Sequence, residues 1–281
     1  MAKSTNISFV ATKGGVGKTT ICYNLAAYLA SQKKKVLIID LDYQNNMSSN
    51  FNFSDEQTAK SNVAQIFQDR WDDNLDNTKI RPEQIDKEGY LFGLSTTSGL
   101  SKIDDLFAQI NNGYATLTLY LKMINAEETY DYIFFDNHND FKLATTNSIV
   151  ASQLIFSPIE PSDYSIDSIP NTISSLEQTK RNYTDPLGNS FVHADLYYLG
   201  NLLDFNTRQS HELIDSIKGQ PNFITYFHRR QAFRNAIEQK KPIIDYLYGS
   251  KDENNKKAYK EIVSKLDELV KFINEFEKST K

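Results

Sequence analysis

The segment that most constrains what this chain can fold into is Ala11-Thr-Lys-Gly-Gly-Val-Gly-Lys-Thr-Thr20, set between the strand-like run Ile7 to Val10 and a helix-like stretch from Thr19 to Ala30. Gly14, Gly15 and Gly17 lack a Cβ, so backbone N–H groups can converge on an anion there, and the following helix adds the positive end of its dipole. Lys18 stands where an ammonium bridges the β and γ phosphates of a nucleoside triphosphate, and Thr19 where a hydroxyl ligates Mg²⁺. The plain alternative is a glycine-rich turn that only packs a helix on a strand. Three glycines, a lysine and the pair Thr19 and Thr20 at fixed offsets outweigh it, so Gly14, Gly15, Val16, Gly17, Lys18, Thr19 and Thr20 are expected to cradle a nucleotide.

The rest of the chain fits that start. Short apolar runs at Val36 to Ile39, Ile133 to Phe135, Leu154 to Phe156 and Tyr197 to Leu199 alternate with helix-like segments, and their residues are apolar at consecutive positions. That pattern predicts strands covered on both faces, hence a doubly wound, mostly parallel α/β sheet flanked by helices. The polar stretch from Asn50 to Gly89, with Trp71-Asp72-Asp73-Asn74 and Arg81-Pro82-Glu83 as punctuation, reads as an excursion from a single domain over residues 1–281. A final helix is predicted over 252–278, with Tyr259, Ile262, Val263, Leu266, Leu269, Val270, Ile273 and Phe276 on its apolar side. One cysteine, Cys22, excludes an internal disulfide and a cysteine-held cluster. With no apolar leader or long apolar span, a cytoplasmic protein without a membrane is expected.

The loop differs from the common glycine-lysine pattern, since Thr12 replaces its first glycine and Lys13 precedes the glycine pair. In this it resembles the ParA/MinD family of P-loop ATPases with a deviant Walker A motif. Asp40-Leu-Asp42-Tyr-Gln44 is similar to the family's D-x-D-P-Q switch, with Tyr43 in place of proline. Tyr130-Asp-Tyr-Ile-Phe-Phe-Asp136 is similar to its Walker B strand. The family usually continues with a small residue and two prolines, where this chain has Asn137-His138-Asn139. The resemblance implies ATP and Mg²⁺ as ligands, with Lys13 reaching the partner's nucleotide in an ATP-bound homodimer. It also implies Asp40 holding Mg²⁺ through water, Asp42 orienting or deprotonating the attacking water, Asp136 supporting the metal and Asn201 touching the nucleobase. Thus Lys13, Lys18 and Asp42 are the expected catalytic groups, and Thr19, Asp40 and Asp136 the metal set. His138 is read as a polar loop residue without a catalytic role.

With a loop beginning at residue 13, an N-terminal helix-turn-helix domain is not expected. The last helix mixes lysines with Glu261, Asp267, Glu268, Glu275 and Glu277, which argues for core packing over a basic membrane helix. The formal net charge is −5, yet residues 180–241 hold nine Lys/Arg against six Asp/Glu. A solvated surface and a DNA-binding patch explain that cluster equally well on residues alone, and the resemblance favours DNA. Arg229, Arg230 and Arg234 are the candidates, expected on the outer surface away from the phosphate loop. The implied function is a nucleoid-associated partition ATPase that binds DNA nonspecifically and is stimulated by a small centromere-binding, ParB-like protein. The alternatives are a MinD-like positioning ATPase and a low-turnover nucleotide-dependent regulator.

Overall fold

Successive residues of a strand face opposite sides of a sheet, so an unbroken apolar run such as Val36 to Ile39 has to be covered twice. The computed structural model, which describes residues 4–50, 61–75, 79–107, 113–161 and 163–280, meets that requirement. Its strands are β1 (Thr5–Phe9), β2 (Val36–Leu41), β3 (Glu83–Gln84), β4 (Leu91–Leu94), β5 (Tyr132–Asn137), β6 (Leu154–Ile159), β7 (Asp195–Leu203) and β8 (Phe223–His228). They form one sheet in the order β3-β4-β2-β5-β1-β6-β7-β8. Every pairing is parallel except the short β3 against β4.

The alternation divides the core. Ile7, Phe9, Val36, Ile38, Phe134 and Phe156 meet the helices Lys18–Ser31, Gln231–Glu238, Ile243–Leu247 and Glu253–Ser279. Leu37, Ile39, Leu41, Ile133 and Phe135 meet Val63–Trp71, Gly99–Phe107 and Thr116–Met123 on the other side. The predicted α/β architecture is therefore present.

Within the expected excursion, residues 51–60 and 76–78 lie outside the described residues. What is described there contributes to the second face. Asn62 and Gln65 cap Val63–Trp71 reciprocally, and Val63, Ile66 and Phe67 are buried.

The final helix, Glu253–Ser279, starts where the Asp252 carboxylate accepts the Asn255 N–H at 2.9 Å, satisfying a donor that would otherwise be orphaned. Ala258, Ile262, Leu266, Leu269 and Ile273 repeat every three or four residues and are buried, so its apolar stripe is consumed by the core. Among the described residues no helix is long and apolar enough to cross a membrane. Because Leu269 has no exposed surface, Leu269→Ala is expected to cost about 2–5 kcal/mol of stability. A lowered urea midpoint with unchanged far-ultraviolet circular dichroism checks it.

Candidate nucleotide site

Three strand ends converge at one place. In register, Phe9 pairs with Asp136 and Asp136 with Asp40, which puts the glycine loop and two carboxylates at the carboxyl edge of adjacent strands. That edge is where open α/β sheets bind ligands.

The loop is braced from several sides. Val10 N–H donates to the Phe156 carbonyl at 3.0 Å, and Asn137 Nδ2 donates to the Phe9 carbonyl at 3.1 Å. Gly15 and Gly17 adopt φ of 77° and 90°, the left-handed region that side chains disfavour. Gly17 caps the helix Lys18–Ser31, and a Cβ on it would run into the Asn201 side chain. Asn201 itself donates through Nδ2 to the Val16 carbonyl at 2.7 Å. It also lines a cavity of about 330 Å³ together with Gly15, Gly17, Thr20 and Phe227.

Lys18 is buried at the start of the helix and donates to Asn139 Oδ1. Burial lowers its pKa, and the charges of Asp136, Asp42 and Asp140 resist that shift. An ammonium with no ion-pair partner in hydrogen-bond contact among the described residues, yet held in an acidic surround, is ready for an incoming anion.

The two strand-end carboxylates differ. Asp40 accepts from Asp42 N–H at 3.0 Å, Ser48 N–H at 2.9 Å and Ser48 Oγ–H at 2.6 Å. Burial raises its pKa while those hydrogen bonds pull it back. Asp136 is fully buried, and neither of its oxygens finds a hydrogen-bond partner among the described residues. Burial and then the nearby Asp40 charge push its pKa upward; Lys18 and the Thr19 hydroxyl oppose the rise, Thr19 from outside hydrogen-bonding geometry.

A buried carboxylate with no partner is costly, and two side by side ask for a cation. Thr19, Asp40 and Asp136 fit Mg²⁺ on this ground, with Asp40's occupied oxygens suiting contact through water. Among the described residues no group of three His, Cys, Asp or Glu forms a protein-only cage. Mg²⁺ that arrives with phosphates needs none.

Asp42 is buried beside this pair and accepts Gln44 N–H at 2.9 Å through Oδ1. Lys13 Nζ lies 2.5 Å from Glu160 Oε1, at the end of β6. Arg229 and Arg234 are exposed and Arg230 is half-buried, and all three also line the cavity that Gly15 and Gly17 share, closer to the loop than expected. Arg229 pairs with Asp204 at 3.4 Å. Arg230 pairs with Glu261 of the final helix and lies over the Phe205 ring, 5.0 Å from its centroid. Ser48, Asn139 and Glu160 are site residues that the sequence reading did not assign. Only Glu160, placed at a strand's carboxyl end, carried a signal that could have found it.

Comparison with known proteins agrees with this geometry. A family model described as AAA domain matches residues 4–188. The chromosome-partitioning ATPase Soj of Treponema pallidum is 26% identical over 249 residues, covering 85% of this chain and 88% of its own length. The chromosome partitioning protein ParA of Myxococcus xanthus is 26% identical over 252 residues, covering 85% and 80%. Among solved structures, a proposed plasmid partition protein of Borrelia burgdorferi bound to AMPPNP has a TM-score of 0.75 at 20% identity, covering 96% of this chain and 99% of that one. On this ground the chain belongs to the ParA/MinD family of P-loop ATPases, as its lysine-led glycine loop led one to expect.

Proposed function

We propose that this ParA-like ATPase is a partition ATPase. It closes into a homodimer on ATP and Mg²⁺, grips DNA without reading sequence, and is reset when a small centromere-binding, ParB-like protein stimulates hydrolysis. The cargo is plasmid or chromosome DNA, and the working location is the nucleoid in the cytoplasm. The observation that carries this reading is the buried Asp136 carboxylate, without a hydrogen-bond partner among the described residues, beside Asp40 and the desolvated Lys18. The single sheet supports one ATPase domain over residues 1–281.

When bound, Mg²⁺ neutralises charge on the β and γ phosphates. Lys18 holds those phosphates, Thr19 supplies a hydroxyl to the metal, and Asp42 orients the attacking water. Lys13 leaves Glu160 to reach the partner's nucleotide. Asn201, facing the cavity beside the loop, is placed to touch the nucleobase.

DNA retention measured with ATP, with ADP and without nucleotide, across a salt series, tests the function. Retention is expected with ATP only and should weaken steeply as salt rises. Arg229→Glu removes one contact per protomer, so it should lower the salt slope by about 2 per dimer. Light scattering on the same variant separates two roles. Lost retention with intact dimerisation assigns Arg229 to DNA, whereas loss of both assigns it to the nucleotide cavity. No ATP-dependent retention at low salt removes the partition reading.

The Asn139 contact to Lys18 favours one second reading, a nucleotide-dependent regulator with little turnover. Phosphate release in the presence of DNA and the cognate partner distinguishes the two.

A further inference from the structure

Two positions at which this chain departs from the family pattern touch each other. Tyr43 replaces the proline after Asp42, and His138 replaces a proline after Asp136. Their rings stack with centroids 4.1 Å apart and planes 28° from parallel. His138 Nδ1 is 3.1 Å from Asp140 Oδ2, and Asp140 Oδ1 accepts Lys142 N–H at 3.1 Å, so the stack belongs to an ordered turn.

Between His138 and Asp140, Asn139 reaches over the glycine loop. Its Oδ1 accepts from Lys18 Nζ. Its Nδ2 lies 2.7 Å from where a Cβ on Gly14 would stand, a distance real Cβ atoms do not tolerate. A side chain at position 14 would therefore push the Asn139 amide from this place.

We propose that Asn139 is a positioning residue that competes with the terminal phosphate for Lys18, and that the Tyr43–His138 stack passes its displacement to the segment carrying Asp42. The proposal rests on the nucleotide-site reading above. An amide oxygen is a neutral acceptor, adequate to keep a buried ammonium hydrogen-bonded but weaker than a phosphate oxygen, whose bond to the same ammonium is charge-assisted. Asn137 anchors one end of the moving segment, since Nδ2 holds the Phe9 carbonyl and Oδ1 accepts from Ser148 Oγ at 2.7 Å. Release from Lys18 thus turns residues 138–140 about Asn137. Tyr43, one residue from Asp42, follows His138. The segment that positions water is in this way informed that a phosphate has arrived.

The test measures affinity for a non-hydrolysable ATP analogue, by competition with a fluorescent adenine nucleotide, in the full chain. Asn139→Ala removes the competitor and should tighten binding by roughly three- to tenfold, the net worth of one ordinary hydrogen bond. Asn139→Asp places a carboxylate on Lys18 and before the phosphates, and should weaken binding by at least about tenfold. A residue that merely buttresses the loop would lose affinity in both variants, so the opposite signs are diagnostic. If Asn139→Ala does not fold, Asn139→Ser, too short to reach Lys18, should show the same gain. Hydrogen exchange reads the coupling. The analogue should protect residues 42–49 in the wild type and fail to do so in Tyr43→Ala. Wild-type binding with no gain in Asn139→Ala or Asn139→Ser overturns the proposal alone, and protection that survives in Tyr43→Ala overturns the coupling. A wild type that binds no adenine nucleotide overturns the nucleotide site and the proposal together.

Discussion

Lys18→Ala is expected to weaken ATP binding by at least about 100-fold, roughly the loss of two charge-assisted hydrogen bonds. The argument is electrostatic. Lys18 is buried at the helix start, where the charges of Asp136, Asp42 and Asp140 all act on it. Without it, the β and γ phosphates would face Asp136, Asp42 and Asp140 with no cation among them, while Lys13 is engaged by Glu160 and Arg229 and Arg230 by Asp204 and Glu261. The substitution should not cost comparable stability, because the ammonium it deletes is itself held against desolvation. Equilibrium binding paired with thermal unfolding in the absence of nucleotide separates the two effects. Unchanged affinity would show that the loop is not the phosphate site.

Asp42→Ala should leave ATP affinity within a few fold while lowering turnover by about 10²- to 10⁴-fold, the usual range for losing a positioned general base. Asp42 lies past the end of β2, and its hydrogen bond to Gln44 N–H closes the turn there. Asp40, two residues back, cannot substitute for it, because three hydrogen bonds from Ser48 and Asp42 already fix its carboxylate. The variant should therefore bind ATP and accumulate as a dimer. Phosphate release and light scattering report the two halves of that expectation. Hydrolysis at the wild-type rate would move the catalytic role to another residue.

How much of this was legible from residues alone depends on distance along the chain. The glycine loop, Asp40 with Asp42, and Asp136 each follow their own strand closely, so local spacing reveals them. β1, β2, β5, β6 and β7 were legible because burial on both faces leaves apolar residues at consecutive positions. β4 escaped notice because Leu91-Phe92-Gly93-Leu94 is four residues long with a glycine inside. β8 escaped because Phe223–His228 is only partly buried and mixes polar with aromatic residues. Asn139 and Glu160 meet Lys18 and Lys13 across more than a hundred residues, through the parallel register, so although Glu160's place at a strand end was visible its partner was not; Ser48 meets Asp40 only eight residues back, through a turn that no periodic pattern marks. The nearness of the arginines to the loop was hidden in the same way as the Asn139 contact. Their position beside the loop follows from β8 lying next to β7, whose Asn201 touches the loop.

The two margins of the sheet bear on how copies of this protein can meet. β3 contributes two residues, run antiparallel to its neighbour, and β8 slips register against β7 near Leu203. A long, flat margin offers its unpaired amides to a strand from another molecule, and natural proteins blunt that invitation with short or irregular border strands. This chain blunts both borders, so it is poorly disposed to grow by adding strands end over end or to seed amyloid-like stacks. Any filament it builds would have to join helix-covered flanks or nucleotide-bearing rims, leaving the sheets of successive copies separate.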